Sequence, residues 1–281
     1  MDITELLRSA IRAIRTNKTR SALTALGIII GVASVIMLVS IGSGLQAYVV
    51  KQFEQLGSNV IFVLPGKVNL GGSGGGNMRT QMTAGSTSKF TFEDVKNISR
   101  LGKAVETASS AVTKTGLAKY RNKTYDVTIV GVDENFQKVR SMDVTEGVFI
   151  NKNMVDKTQG VAVVGPKVVE NLMTKGEDPI GKEIEVSGRK VKIVGVTKAQ
   201  GGGFGGGGDQ DSMAILPVTT AAKLIGSKSP AAIYVLTTSA DTMDQATAQV
   251  KKYFYQRKLT NDDFSVLEPT QILSTINSFL G

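Results

Sequence analysis

The sequence predicts an α+β fold carried on an N-terminal amphipathic helix and one transmembrane helix. Three observations carry this expectation. Residues 21–50 contain no Asp, Glu, Lys, Arg or His. After residue 51, short apolar runs bounded by Gly, Pro and Asn alternate with segments of helical period. The 281 residues are 41% apolar and 20% charged, enough for a real core and roughly two domains of ordinary size.

Taken in order, Ile3, Leu6, Leu7, Ala10, Ile11 and Ile14 recur at 3.6-residue spacing, with Arg8, Arg12 and Arg15 on the other side. Such a helix lies in the headgroup plane, and residues 1–20 read as an elbow before the span. Residues 21–50 read as a transmembrane helix, because ~20 residues at ~1.5 Å each cross a hydrocarbon core ~30 Å thick. A signal-peptide apolar region is shorter, usually ~7–15 residues, though Ser40, Gly42 and Ala47 could imitate a cleavage site. The basic flank of Arg8, Arg12, Arg15, Lys18 and Arg20 gives residues 1–20 a net +3 and holds the N-terminus in the cytoplasm. Residues 51–281 are then extracytoplasmic. Thr24, Gly27, Gly31 and Ser34 put small residues on one face of the span, where another helix backbone can approach closely.

Residues 59–65 (NVIFVLP) predict a strand ended by proline, and 90–101 a helix with Thr91 as N-cap and Glu93 and Asp94 in its first turn. Residues 105–120 and 123–133 read as extended, 161–165 as an apolar strand, and 166–173 as a helix opened by Pro166. The segment EIEVSGRKVKIVGV predicts a hairpin about Ser187-Gly188. A strand at 232–238, a helix at 241–258, a closing strand FSVLEP and an amphipathic end from 270 complete the chain. IVGV occurs twice, at 129–132 and 193–196, which raises the possibility of two related hairpins.

Chemistry is bounded by what is missing from these residues. With no Cys, His or Trp, disulfides, Cys/His zinc sites and His-dependent triads are excluded. Gly201, Gly203 and Gly206 satisfy GxGxxG, but a strand rather than a helix follows, so no helix N-terminus is offered to a pyrophosphate. No GxxxxGK[ST] occurs. Asp209 and Asp211 read as solvated loop acids rather than calcium ligands. The sequence therefore names no catalytic, cofactor-binding or metal-binding residues. The +6 excess of residues 51–281 is interspersed with acids, which argues against nucleic acid as a partner.

The opening LLRSAIRAIRTNKTRSALTALGIIIGVASVI, with NVIFVLPG, FTFEDVKNI, EGVFI, VAVVGPKVVENL, DPIGKEIEVSGRKVKIVGV and DSMAILPVTTAAKLIG after it, resembles ABC-transporter permeases of the macrolide-exporter (MacB-like, FtsX-like) family. The resemblance implies a porter-like subdomain at about 51–138 and 230–270, a β-rich insertion at 139–229, and residues 271–281 leading to a second span. It implies a truncated permease in the cytoplasmic (inner) membrane that acts as a homodimer. A separate ABC ATPase subunit would power it for efflux, with a membrane-fusion adaptor as a further partner. The loop of Gly201, Gly203, Phe204, Gly206 and Gly208 is the expected contact for a partner or substrate. The competing expectation is a single-pass binding, sensor or scaffold ectodomain that transports nothing.

Overall fold

The structure is a computed structural model and describes residues 4–5, 12, 16–55, 59–68, 88–200 and 209–269. Two compact units emerge, Met1–Tyr48 and Val49–Phe279. The expected elbow at 1–20 and the segment 271–281 lie largely or wholly outside the described residues.

One helix, α1 (Lys18–Gln55), dominates the first unit. Its stretch Lys18–Gly44 is apolar and long enough to cross a membrane, and none of its most apolar window is buried against the rest of the chain. Leu23, Ile28 and Leu38 are 65%, 67% and 73% exposed on different sides of the helix. A helix apolar all round and uncovered by protein is matched to lipid rather than to a soluble core. Near the start of α1, Thr16 Oγ1 donates to Arg12 O at 2.8 Å and Ser21 N to Asn17 O at 3.0 Å.

The second unit runs β1 (Val60–Pro65), α2 (Phe92–Ile98), β2 (Val105–Tyr120), β3 (Lys123–Val132), α3 (Phe136–Val139), β4 (Val144–Gly147), α4 (Lys152–Asp156), β5 (Val161–Val164), α5 (Pro166–Leu172), β6 (Glu183–Val186), β7 (Arg189–Thr197), β8 (Met213–Pro217), α6 (Val218–Ile225), β9 (Ala232–Thr237), α7 (Met243–Gln256) and β10 (Phe264–Leu267). This is the α+β class expected. Pro166 does open α5, Thr91 does cap α2 within a full capping box, and Ser187 and Gly188 turn the β6–β7 hairpin with φ of 46° and 85°. The short helices α3, α4 and α6 carry no strong sequence signal. Packing rather than propensity makes them: Val139, Val155 and Ala221 are buried.

Strand pairing divides the sheet between two arrangements. β10, β1, β9 and the first half of β2 pair antiparallel in that order, with α2 and α7 as the crossovers, which is a ferredoxin-like split βαβ plait. The second half of β2 pairs with β3 on one edge and, at Ala118 and Lys119, with β6 on the other. From there the pairings close a ring, β2–β3–β8–β5–β7–β6 and back to β2. β2 can serve both because its 16 residues extend about 50 Å. Val112, Val127 and Ile129 belong to the core inside this ring. β3 pairs with β2 and β8, so it goes with the ring rather than with the plait.

The cores follow the same division. Ile61, Val63, Phe90, Ile98, Val235, Val250 and Phe254 fill the space between the plait and its helices, with Phe254 at 5.2 Å from Phe90 and 4.9 Å from Phe264. On the other face of the same strands Val60, Phe62 and Leu64 are buried with Val139 of α3. β1 is thus buried on both faces, which is why its sequence is an unbroken apolar run instead of an alternating one.

Candidate functional site

The small residues of the membrane helix fall where the sequence puts them. At 100° per residue Thr24, Gly27, Gly31 and Ser34 lie within an arc of about 80°. All four are exposed, and a Cβ added at Gly27 or Gly31 would meet nothing within 4 Å. Their hydroxyls need no outside partner. Thr24 Oγ1 lies 3.0 Å from both Arg20 O and Ser21 O, and Ser34 Oγ donates to Gly31 O at 2.8 Å. Polar groups satisfied inside the helix are compatible with hydrocarbon, and the face stays smooth enough for a close backbone approach. Of the basic flank, Arg12, Lys18 and Arg20 are exposed, while Arg8 and Arg15 lie outside the described residues.

The loop residues Gly201, Gly203, Phe204, Gly206 and Gly208 also lie outside the described residues, but both of their attachment points are defined. Gln200 N donates to Asp211 Oδ1 at 2.8 Å, so one hydrogen bond joins the two ends of the loop. Lys167 Nζ donates to Asp209 Oδ2 at 2.5 Å, Ser212 Oγ reaches the same oxygen at 3.2 Å, and Tyr125 Oη lies 2.9 Å from Ser212 Oγ. The expectation of solvated acids is corrected here. Asp211 is only 7% exposed, and Asp209 is held in an ion pair. Burial pushes the Asp209 carboxyl up, but the hydrogen bonds from Lys167, Asp211 N and Ser212 outweigh it and hold the group below its ordinary value. The hydrogen bond to Asp209 raises Lys167 in turn. Gly165 allows the approach: a Cβ there would lie 2.2 Å from Asp211 O.

Two further carboxylates have structural duties that the sequence reading did not assign. Asp94 completes the α2 capping box and also accepts from Tyr253 Oη at 2.7 Å and from Arg257 Nη1, tying α2 to α7. Asp133 accepts from Ser110 N at 2.7 Å and Ser110 Oγ at 3.1 Å, at the point where β2 passes from plait to ring. It borders a cavity of about 470 Å³ between α2, α4 and α6, and burial raises its carboxyl above the ordinary value. An acid directly after a strand's last valine was the available signal, but nothing local specifies Ser110 as its partner.

Residues 21–253 match the family described as the MacB-like periplasmic core domain. The chain is 29% identical over 98% of its length to the macrolide export ATP-binding/permease protein MacB of Chlorobium phaeobacteroides, and 30% identical over 97% to that of Chlorobium luteolum. It spans about two fifths of those relatives, 41% and 40% of their lengths. Among solved structures, the periplasmic region of MacB from Actinobacillus actinomycetemcomitans matches with a TM-score of 0.62 at 18% identity, over 82% of this chain and 98% of that one. The extracellular domain of the noncanonic ABC-type transporter YknZ from Gram-positive bacteria matches with a TM-score of 0.59 at 19% identity, over 74% of this chain and all of the other. At such identities these two likenesses speak for the fold.

Proposed function

We propose, because this chain belongs to the MacB-like periplasmic core domain family, that it works as the membrane-anchored outer part of an ABC-type export permease. Residues 1–20 face the cytoplasm, α1 crosses the inner membrane, and the second unit works outside it. In this reading ATP is hydrolysed in a separate ATPase subunit. Hydrolysis there drives motion of the outer domain, which moves substrate outside the membrane.

The observation that carries this reading is the presence, in one chain, of a lipid-matched helix with an uncovered small-residue face and a domain of the periplasmic-core fold. The Thr24–Gly27–Gly31–Ser34 face packs on a helix of the permease homodimer. The stem at Gln200, Asp209 and Asp211 presents the glycine-rich loop to a membrane-fusion adaptor or to substrate. Within the outer domain, we read the plait as the porter-like part and the ring, from about Val112 to Ala231, as the inserted part, supported by their separate cores.

Absence of cysteine makes the test direct. Lys103→Cys carries a spin label on each copy in membranes that contain the ATPase, and the distance between copies is measured with ATP, with ADP and with a non-hydrolysable analogue. A nucleotide-dependent change in that distance is expected. The same distance in all three states, with hydrolysis proceeding, would leave the single-pass anchored ectodomain as the better reading.

A further inference from the structure

The second face of the plait holds a charged group with no counter-charge among the described residues. Phe62 of β1 and Tyr234 of β9 are register partners, so their rings stand on the same face, 5.7 Å apart and edge-on. Phe136 of α3 meets the same Tyr234 ring edge-on at 5.8 Å. Arg140, just past α3, lies over that ring with Cζ 5.4 Å from its centre. Val139 and Leu236 complete an apolar surround.

Neither polar end in this cluster is satisfied by the described protein. The Arg140 guanidinium has no ion-pair or hydrogen-bond partner among the described residues, and neither has the Tyr234 hydroxyl. Both side chains are part-buried. Burial lowers Arg140 and raises Tyr234 from their ordinary values, as expected of a charge and a phenol drawn into an apolar recess. A cation in such a place is normally paired, because an uncompensated one is costly. Stacking on Tyr234 fixes the plane of the guanidinium and leaves its fork of N–H donors free.

We propose that Arg140 and Tyr234 form a binding site for the carboxylate of an organic acid. The fork of one guanidinium matches the two oxygens of a carboxylate, and the phenol supplies a third donor. A single cation balances a monoanion, whereas a phosphate dianion calls for more positive charge than this recess holds. This site is separate from the membrane face and from the loop stem, and it does not depend on the transport reading.

The probe is 4-fluorobenzoate, followed by fluorine NMR with the full chain in detergent micelles. Saturable line broadening is expected. It should be absent for 4-fluorobenzamide, the neutral isostere, which has the same partitioning surface and no charge. Arg140→Gln should weaken binding by about tenfold or more, and Tyr234→Phe by several-fold, consistent with charge-assisted and neutral hydrogen bonds. Arg140→Lys should fall between parent and Arg140→Gln, since it keeps the charge and loses the fork. Equal broadening by the amide, or unchanged binding by a folded Arg140→Gln chain, overturns the site. Displacement of the benzoate by equimolar inorganic phosphate overturns the carboxylate assignment. If Arg140→Gln fails to fold, the benzoate–benzamide and phosphate comparisons on the parent chain still decide.

Discussion

Ile129 and Ile193 hold equivalent places in the ring. Each begins an Ile-Val-Gly-Val run, each lies on the second strand of a hairpin, and each faces an alanine across a parallel pairing, Ala214 and Ala162 respectively. The equivalence extends to the whole ring. Exchanging β2 with β6, β3 with β7 and β8 with β5 maps every pairing onto another: β2–β3 onto β6–β7, β3–β8 onto β7–β5, and β2–β6 and β5–β8 onto themselves. β5 and β8 each lead directly into a helix. The four-residue repeat is the sequence trace of a pseudo-twofold barrel made from two units of hairpin, strand and helix.

The two glycines of these runs are required for different contacts. A Cβ at Gly131 would sit 2.3 Å from Ala221 Cβ and 2.6 Å from Val112 Cγ2, and one at Gly195 would sit 2.5 Å from Val148 O. Gly131→Ala should therefore destabilise the outer domain by about 1–3 kcal/mol through overpacking, and Gly195→Ala by at least as much because backbone cannot yield. Thermal unfolding of the chain in detergent checks this, with Gly160→Ala as the comparison, whose nearest neighbour would be 3.4 Å away. Equal stability of Gly131→Ala and the parent would contradict the contact.

Replacing both Gly27 and Gly31 with Leu should weaken association of the permease by about 1 kcal/mol or more, read by crosslinking in membranes. Arg12→Ala should instead change membrane seating or orientation and leave crosslinking nearly intact. Unchanged crosslinking of the double-leucine chain at normal expression would assign the glycines to lipid.

On the proposed orientation, with the positive flank and N-terminus inside, protease added to intact spheroplasts should remove the domain beyond residue 50. Full protection would reverse the topology.

Asp263 sets an acid-side stability limit. Hydrogen bonds from Lys89, at 2.6 Å, and from Thr260 hold its carboxyl down at about 2, below the ordinary 3.8. A depressed carboxylate stabilises the fold above its unfolded value and loses that contribution as pH falls from about 4 to about 2. Lys89→Met should lower the unfolding temperature at pH 7, and the gap from the parent should close over that window. A gap that persists at pH 2 would mean Lys89 acts otherwise.

Asp211→Ala should open the loop stem. Loss of the buried charged acceptor for Gln200 N costs about 1.5–3 kcal/mol locally, so the Gln200 amide should exchange at least about tenfold faster while amides of α7 keep their rates. Uniform acceleration through the domain would indicate global rather than local opening.

Local chemistry made much of this protein legible from sequence. The uncharged run at 21–50 requires a lipid-matched helix, the apolar NVIFVLP requires a strand buried on both faces, and Thr91, Pro166 and Ser187-Gly188 mark their cap, first turn and hairpin through contacts with residues two or three away. The Gly27/Gly31 face is legible for the same reason, since helical period alone places it. The choice of partners is not local. That β2 leaves β9 for β6, that β3 and β7 take β8 and β5 in parallel, that Asp211 is drawn in beneath Gly165, and that Arg140 comes to rest on Tyr234, 94 positions on in sequence, all depend on which distant surfaces exclude water together. The free energy of such pairings belongs to the assembled core, and no segment carries it alone.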